Sequence, residues 1–259
     1  NDSAKLIDLI EKKEKLVALL APSFPIMYEY PKIICKLRSL GFAFAIEVSV
    51  GAKKTNEAIT ELLIKNPEKR IITSPCPSFV QLVKTKHQNL IQFLALEVDS
   101  PMIATAKIVR EKYPGYQAVF IGPCIAKKIE AGVEHPDLNL LVVTYKELEE
   151  VFTFFKTNEN ECPNQTFDLT EESTRIYPLD GGLTHSGNLH KILKDGEIRI
   201  VSGWKNIEKA LNEFENNPEI RFMDVLFCEQ GCIHGPGIVS GLNTEERKQK
   251  ILNYYHKLQ

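Results

Sequence analysis

The sequence has little that would mark a specialised environment. No apolar run approaches the roughly 18 residues of a membrane span, so no spanning helix is expected. Charge is nearly balanced, with 32 Lys and Arg against 34 Asp and Glu. A net charge of −2 gives no electrostatic reason to expect nucleic acid or an anionic membrane surface as partner. There is no low-complexity segment and no convincing internal repeat. No signal-peptide pattern precedes Ala4, and the first residue is Asn1 rather than Met, which reads as a processed chain or an excised piece. Structural zinc usually takes two close-spaced cysteine pairs. Here one such pair stands alone, Cys228 and Cys232.

What is present is an ordinary globular composition. Hydrophobic residues at 43% and charged residues at 25% suffice for one large domain or two lobes. The six cysteines sit in a long chain with abundant periodic structure, unlike short disulfide scaffolds. A reducing cytoplasm is therefore the expected location. Apolar runs at Lys15–Leu20, Phe42–Val48, Arg70–Thr73, Ala118–Ile121, Leu138–Val143, Ile198–Ser202 and Ile220–Phe227 read as buried strands. Between them lie segments of helical period, including Pro31–Leu40 with Gly41 as C-cap, and Thr55–Ile64 after a break at Gly51. Ser100-Pro101 opens a helix, Thr144 to Glu147 forms a capping box, and Trp204–Phe214 and Thr244–His256 are helical. Alternating strands and helices predict an α/β fold: two lobes of mainly parallel sheet flanked by helices, with the site in the cleft between them. The expected divisions are 15–110, 111–225, and a cysteine loop with a final helix over 226–259. Lys156–Thr174, which contains Cys162, reads as a polar surface excursion.

Three of the strands end at cysteines. Cys76 follows Arg70–Thr73, Cys124 follows Ala118–Ile121, and Cys228 with Cys232 follows Ile220–Phe227. Ligands in open α/β sheets collect beyond the carboxyl ends of strands, so four thiols are expected at one crevice. Thiolates from distant loops suit a 4Fe–4S cube, and Gly231 would let the backbone approach a bulky centre. Buried, inert cysteines are the plain alternative.

These residues resemble the H-cluster domain of FeFe-hydrogenases. The family's TSCCP, PCxxKK and C-terminal cysteine motifs stand here as Thr73–Pro77 (with a change), Pro123–Lys128 and Cys228–Gly237. Further likenesses follow in order at Ala21-Pro22-Ser23, Gly51-Ala52, Ser100-Pro101, Leu141–Leu148, Asp180-Gly181-Gly182 and Ser202–Leu211, so the resemblance covers the chain from about Lys15. It implies that Cys76, Cys124, Cys228 and Cys232 hold a 4Fe–4S cluster. It also implies that Cys232 bridges to a two-iron subcluster with CO, CN and a dithiolate bridge, and that Lys127 hydrogen-bonds a cyanide. Ala21, Pro22, Ser23, Gly122, Pro123 and Leu226 would line that pocket, Ala21 to Ser23 with backbone and hydroxyl donors. H2 and protons are the implied reactants. Maturation proteins and a ferredoxin-like electron partner are the implied associates.

The chain departs from the pattern at Pro75, where the family carries a proton-passing cysteine. Proline has no exchangeable proton, so slow turnover is expected, as in the sensory branch, where the domain is joined to signalling modules. Gly122 and Leu226 replace pocket methionines, which suggests a roomier pocket near Gly122. No ferredoxin-like cysteine cluster precedes Lys15. Glu229 and His234 are candidate proton carriers, though a solvated carboxylate and a loop hydrogen-bonder are the preferred readings. Cys35 is expected in core packing, Cys162 as a bystander thiol, His185 as a helix-start residue and Lys128 as solvated. Three functions follow from this: a slow or sensory FeFe-hydrogenase, a 4Fe–4S relative acting in iron–sulfur assembly, and a structural zinc protein, which the spacing disfavours.

Overall fold

The computed structural model describes residues 2–157 and 165–256. Its strands are β1 (Leu16–Leu20), β2 (Phe42–Glu47), β3 (Ile71–Ile72), β4 (Gln117–Gly122), β5 (Leu141–Thr144), β6 (Ile198–Ser202) and β7 (Phe222–Leu226). They form two parallel sheets, of order β2-β1-β4-β5 and β3-β7-β6. All five residues of β1 and all five of β7 are buried, as expected of central strands covered on both faces. Register brings the strand ends level: Leu20 pairs with Ile121 and Gly122 with Thr144 in the first sheet. In the second, Ile72 pairs with Met223 and Ser202 with Leu226.

The helices are α1 (Asp2–Glu11), α2 (Lys32–Ser39), α3 (Ser49–Lys65), α4 (Pro77–Lys86), α5 (Pro101–Lys112), α6 (Lys127–Ile129), α7 (Tyr145–Phe154), α8 (Gly182–Ser186), α9 (Trp204–Asn216) and α10 (Thr244–His256). Their ends follow local chemistry. Gly41 takes φ +101° after α2. Ser100 caps α5 through Ile103 N–H at 3.4 Å. Thr144 and Glu147 cap α7 reciprocally. Each sheet buries its own apolar cluster, one around Phe24, Phe42 and Tyr145, the other around Phe79, Phe214 and Met223.

Several expectations need correction. Each sheet draws strands from both sides of residue 110, so the lobes interleave along the chain instead of following one another. Gly51 does not break the chain; it lies inside α3. A side chain there would overlap the Pro101 carbonyl and Thr105 Oγ1, so glycine permits α3 and α5 to touch. β3 shrinks to two residues. The described part of the polar excursion returns to cover the edge of β2, where Leu169 O accepts from Glu47 N–H at 2.9 Å. Cys35 is buried in the core as expected and is in addition disulfide-bonded; Cys162 lies outside the described residues.

Candidate metal centre

The loop after β3 is pinned on both sides. Thr73 N–H donates to Met223 O at 2.9 Å, and Thr73 Oγ1 accepts from Val225 N–H at 3.1 Å. Pro77 opens α4 with Cys76 as its N-cap residue, a place where the missing N–H of proline costs nothing. The loop after β4 is clamped by the C-terminal segment: Gly237 N–H donates to Pro123 O at 2.8 Å. A Cβ on Gly235 would come within 2.6 Å of that same oxygen. Gly231, at φ +89°, packs on Pro178 O, which also accepts from Cys232 N–H at 2.9 Å. Its glycine thus serves a tight backbone approach within the protein.

Cys76, Cys124, Cys228 and Cys232 are all free and partly buried. Cys232 senses the charge of the other three, and Cys228 that of Cys76 and Cys124. Burial, and then this mutual repulsion, pushes Cys76 and Cys232 up and Cys228 up to about 12. Such thiols stay neutral near pH 7 unless a cationic group compensates. Four thiolates therefore require added positive charge, which bound iron would supply. Among the described residues, no three His, Cys, Asp or Glu side chains converge on a single metal ion. The thiols nonetheless share an electrostatic field.

Beside them lies a cavity of about 90 Å3. Its walls include Cys124, Cys232, Lys127, Pro75, Pro123 and Leu226, with Ala21, Pro22 and Ser23 from the end of β1. Of the expected lining residues only Gly122 is not in the wall. The expected room there is filled by the Phe120 ring, whose edge is 2.5 Å from where a Gly122 Cβ would stand. Ser23 offers no free hydroxyl proton. Tyr145 Oη donates to Ala21 O at 2.9 Å and lies 2.8 Å from Ser23 Oγ, which must then donate to it. Lys127 is equally occupied: its three protons go to Pro75 O at 3.0 Å, Ser100 Oγ at 3.0 Å and Glu130 Oε2 at 2.5 Å.

Glu229 and His234 lie elsewhere, with Trp204 and Cys228 in an outer pocket. His234 Nε2 bonds Thr244 Oγ1 at 2.9 Å, the loop role expected of it. His185 is exposed and stacks on His190 at 5.5 Å. Lys128 is not simply solvated; it pairs with Asp2 at 2.7 Å and Glu147 at 2.6 Å. Sequence reasoning missed Phe120, Tyr145, Tyr177 and Glu130. Tyr177 forms part of the cavity wall, with its hydroxyl buried beside Thr55. Tyr145 carried one usable signal, because it directly follows the capping residue at the end of a buried strand.

Comparison with known proteins agrees with this architecture. A probable cytosolic Fe-S cluster assembly factor, oxy-4 of Caenorhabditis elegans, is 22% identical over 86% of this chain and 61% of its own length. Iron hydrogenase 1 of Clostridium pasteurianum is 24% identical over 80% of this chain and 45% of its own. The chain thus spans about half to three-fifths of the length of these relatives. The FeFe-hydrogenase HydA1 of Chlamydomonas reinhardtii superposes with a TM-score of 0.77 at 17% identity, covering 99% of this chain and 88% of that one. The family description "Iron only hydrogenase large subunit, C-terminal domain" matches residues 14–236, and the chain belongs to that family.

Proposed function

We propose that this chain is an FeFe-hydrogenase-like domain that activates H2 slowly and reports it, with Cys76, Cys124, Cys228 and Cys232 holding a 4Fe–4S cluster. The donor set fits such a group, since the four thiols are raised by burial and by one another and need a cationic centre to ionise. The observation that carries the fuller reading is the adjoining cavity. A chain needing only a cube has no use for a cavity walled by Cys232, Lys127 and Ala21 to Ser23. That cavity would take the two-iron subcluster with CO, CN and a dithiolate bridge, for which maturation proteins would be required.

The bound iron group would supply heterolytic H2 activation and the electron relay. The protein's own contribution is placement and exclusion. Pro22, Pro75, Pro123, Phe120 and Leu226 give the cavity rigid, largely apolar walls. Tyr145 fixes Ala21 and Ser23 in place, and Lys127 holds positive charge at the wall. Pro75 can neither give nor take a proton. Positioned acid–base groups are worth about 10²–10⁴ in rate, so turnover is slow, which suits a sensor. A ferredoxin-like partner or domain would bring or remove electrons, and a signalling module would read the state. Among the described residues no helix is long and apolar enough to cross a membrane, and we place the reaction in the cytoplasm.

A second reading, a 4Fe–4S protein acting in iron–sulfur assembly, is favoured by one observation: every Lys127 proton is spent within the protein. The relatives named as assembly factors point the same way. Loading the purified chain with a synthetic two-iron precursor separates the two. Sharp carbonyl and cyanide infrared bands that shift under H2 are expected. About four irons per chain with no such bands would establish the assembly reading instead.

A further inference from the structure

Behind Lys127 lies a second cavity of a different character. It measures about 60 Å3, and its walls include Ser74, Asp99, Ser100, Glu130, Glu134 and His135. Glu134 is exposed, so this cavity reaches solvent. The Lys127–Glu130 ion pair stands between the two cavities, together with the backbone at Ser74-Pro75 and Ser100-Pro101. Lys127 lines the inner cavity and Glu130 the outer, with Nζ and Oε2 2.5 Å apart. Their side chains are 11% and 7% exposed. The backbone continues as a π-helical turn over Glu130–Glu134, a rare form found mostly at functional sites. It closes through His135 N–H to Glu130 O at 3.1 Å.

Charge is a costly way to build such a wall. Two apolar side chains would seal it without the desolvation penalty that a buried pair must offset. The other two carboxylates of the outer cavity are already committed, Asp99 to Lys107 at 2.6 Å and Glu134 to Lys84 at 3.2 Å, while the His135 imidazole also borders that cavity. The Pro75 carbonyl and Ser100 hydroxyl hold the Lys127 ammonium in place. Glu130 is thus the carboxylate bonded to the inner cation, and with Ser100 it is one of two Lys127 partners that also border the outer cavity.

We propose that the Lys127–Glu130 pair carries protons between the inner cavity and the outer polar one, with Glu130 as the group that passes them to solvent. This rests on the cluster reading above. In the outward direction, one Lys127 N–H bond breaks as an O–H bond forms on Glu130, leaving a neutral amine beside a neutral acid. The amine then takes a proton from the inner cavity, and the acid releases its own to water in the outer one. The ion pair is restored, one proton has crossed, and no electron has moved within the pair. Inward transfer is the same sequence reversed.

Glu130→Gln preserves an acceptor for Lys127 but cannot accept a proton, whereas Glu130→Asp can. The test begins with the chain carrying only the cube, in which potential is followed against pH. Reduction adds negative charge near Lys127, which already interacts with Cys76 and Cys232. Proton uptake by the pair is then expected, so the wild-type potential falls as pH rises. The Gln variant gives a flat response and the Asp variant restores the slope. A flat wild type, or a Gln variant with the wild-type slope, overturns the proposal. If the Gln variant binds no cube, a flat Asp variant overturns it equally.

After loading with the two-iron precursor, Glu130→Gln should still show carbonyl and cyanide bands. Interconversion of the spectral states under H2 should slow by about 10²–10⁴, and an unchanged rate removes the relay. A normal cube response with no carbonyl bands in the wild type would sink the two-iron reading while leaving the proton coupling intact.

Discussion

Two buried ion pairs in this molecule use the same chemistry for different ends. Arg175 and Glu47 are 1% and 0% exposed and meet at 3.0 Å. Lys127 and Glu130 are nearly as deep. What differs is the surroundings. Arg175 stacks over Tyr254 of α10 at 4.5 Å and donates to Thr170 Oγ1 at 2.8 Å, while Glu47 ends β2. That pair staples the sheet edge, the 165–175 segment and the final helix into one body. The Lys127 pair instead separates an apolar cavity from a polar one and ties down the loop before Cys76. Depth alone therefore does not announce a functional charge; the relay proposed for the Lys127 pair rests on the cavities that its two members border.

The largest expected effect comes from breaking the structural pair. Glu47→Ala leaves the buried Arg175 guanidinium with only the more distant, half-exposed Glu172 carboxylate at 3.6 Å, at a cost of up to about 3–5 kcal/mol. Denaturant unfolding should show that loss, while iron bound per folded chain stays at the wild-type level. The double change Glu47→Met with Arg175→Met should recover most of the stability, because replacing a whole buried pair by apolar groups is often neutral. If the double variant were as unstable as the single one, or if iron binding fell with Glu47, the division of roles would be wrong.

A lone buried carboxyl sharpens the same contrast. Asp224, on β7, accepts Thr184 N–H at 3.1 Å and Thr184 Oγ1 at 2.8 Å, with no cation against it. Burial pushes it up from 3.8 to about 6. The folded state therefore holds a proton that the unfolded state has lost between those values. Its contribution to stability is full below the unfolded value and disappears as pH rises toward 6. The difference amounts to about 3 kcal/mol. Asp224→Asn keeps an acceptor for Thr184, so the variant should match wild type near pH 4 and be the more stable near pH 7. Urea midpoints at the two pH values decide it; parallel behaviour of both proteins would mean that Asp224 is not held protonated.

These contrasts explain what the sequence made legible. The strands were visible because buried parallel strands are short apolar runs, and the four cysteines because each follows such a run. The assignment of strands to sheets was not, because hydrophobic periodicity carries no information on which sheet a strand joins. Pro75 and Lys127 stood out against a known motif. Glu130 did not, since a carboxylate three residues after a lysine looks like any solvated helical pair until burial is known. Phe120 was hidden for a related reason: its ring folds back over Gly122, and that depends on side-chain direction. Cys35 looked like a core residue because one apolar helix face gives no hint of a covalent partner.

Gly51 tests whether the cavity-side pair is held from a distance. It lies in α3, where an alanine would ordinarily add about 1 kcal/mol of helix propensity. Here the added methyl would overlap the Pro101 carbonyl and Thr105 Oγ1. Neither yields easily, because Thr105 Oγ1 already donates to that carbonyl at 2.7 Å and Pro101 opens α5. Overpacking of this sort costs about 1–3 kcal/mol, so Gly51→Ala should lose stability modestly despite its better propensity. The displaced element would be the start of α5, which carries Ser100, a partner of Lys127, and also Met102 of the cavity wall. In the chain loaded with the two-iron precursor, the variant should therefore lose the carbonyl bands faster, while its remaining instability is not corrected by the Glu47–Arg175 double replacement. Unchanged band lifetimes with a stability loss would show that α3 and α5 support the fold without positioning the ion pair.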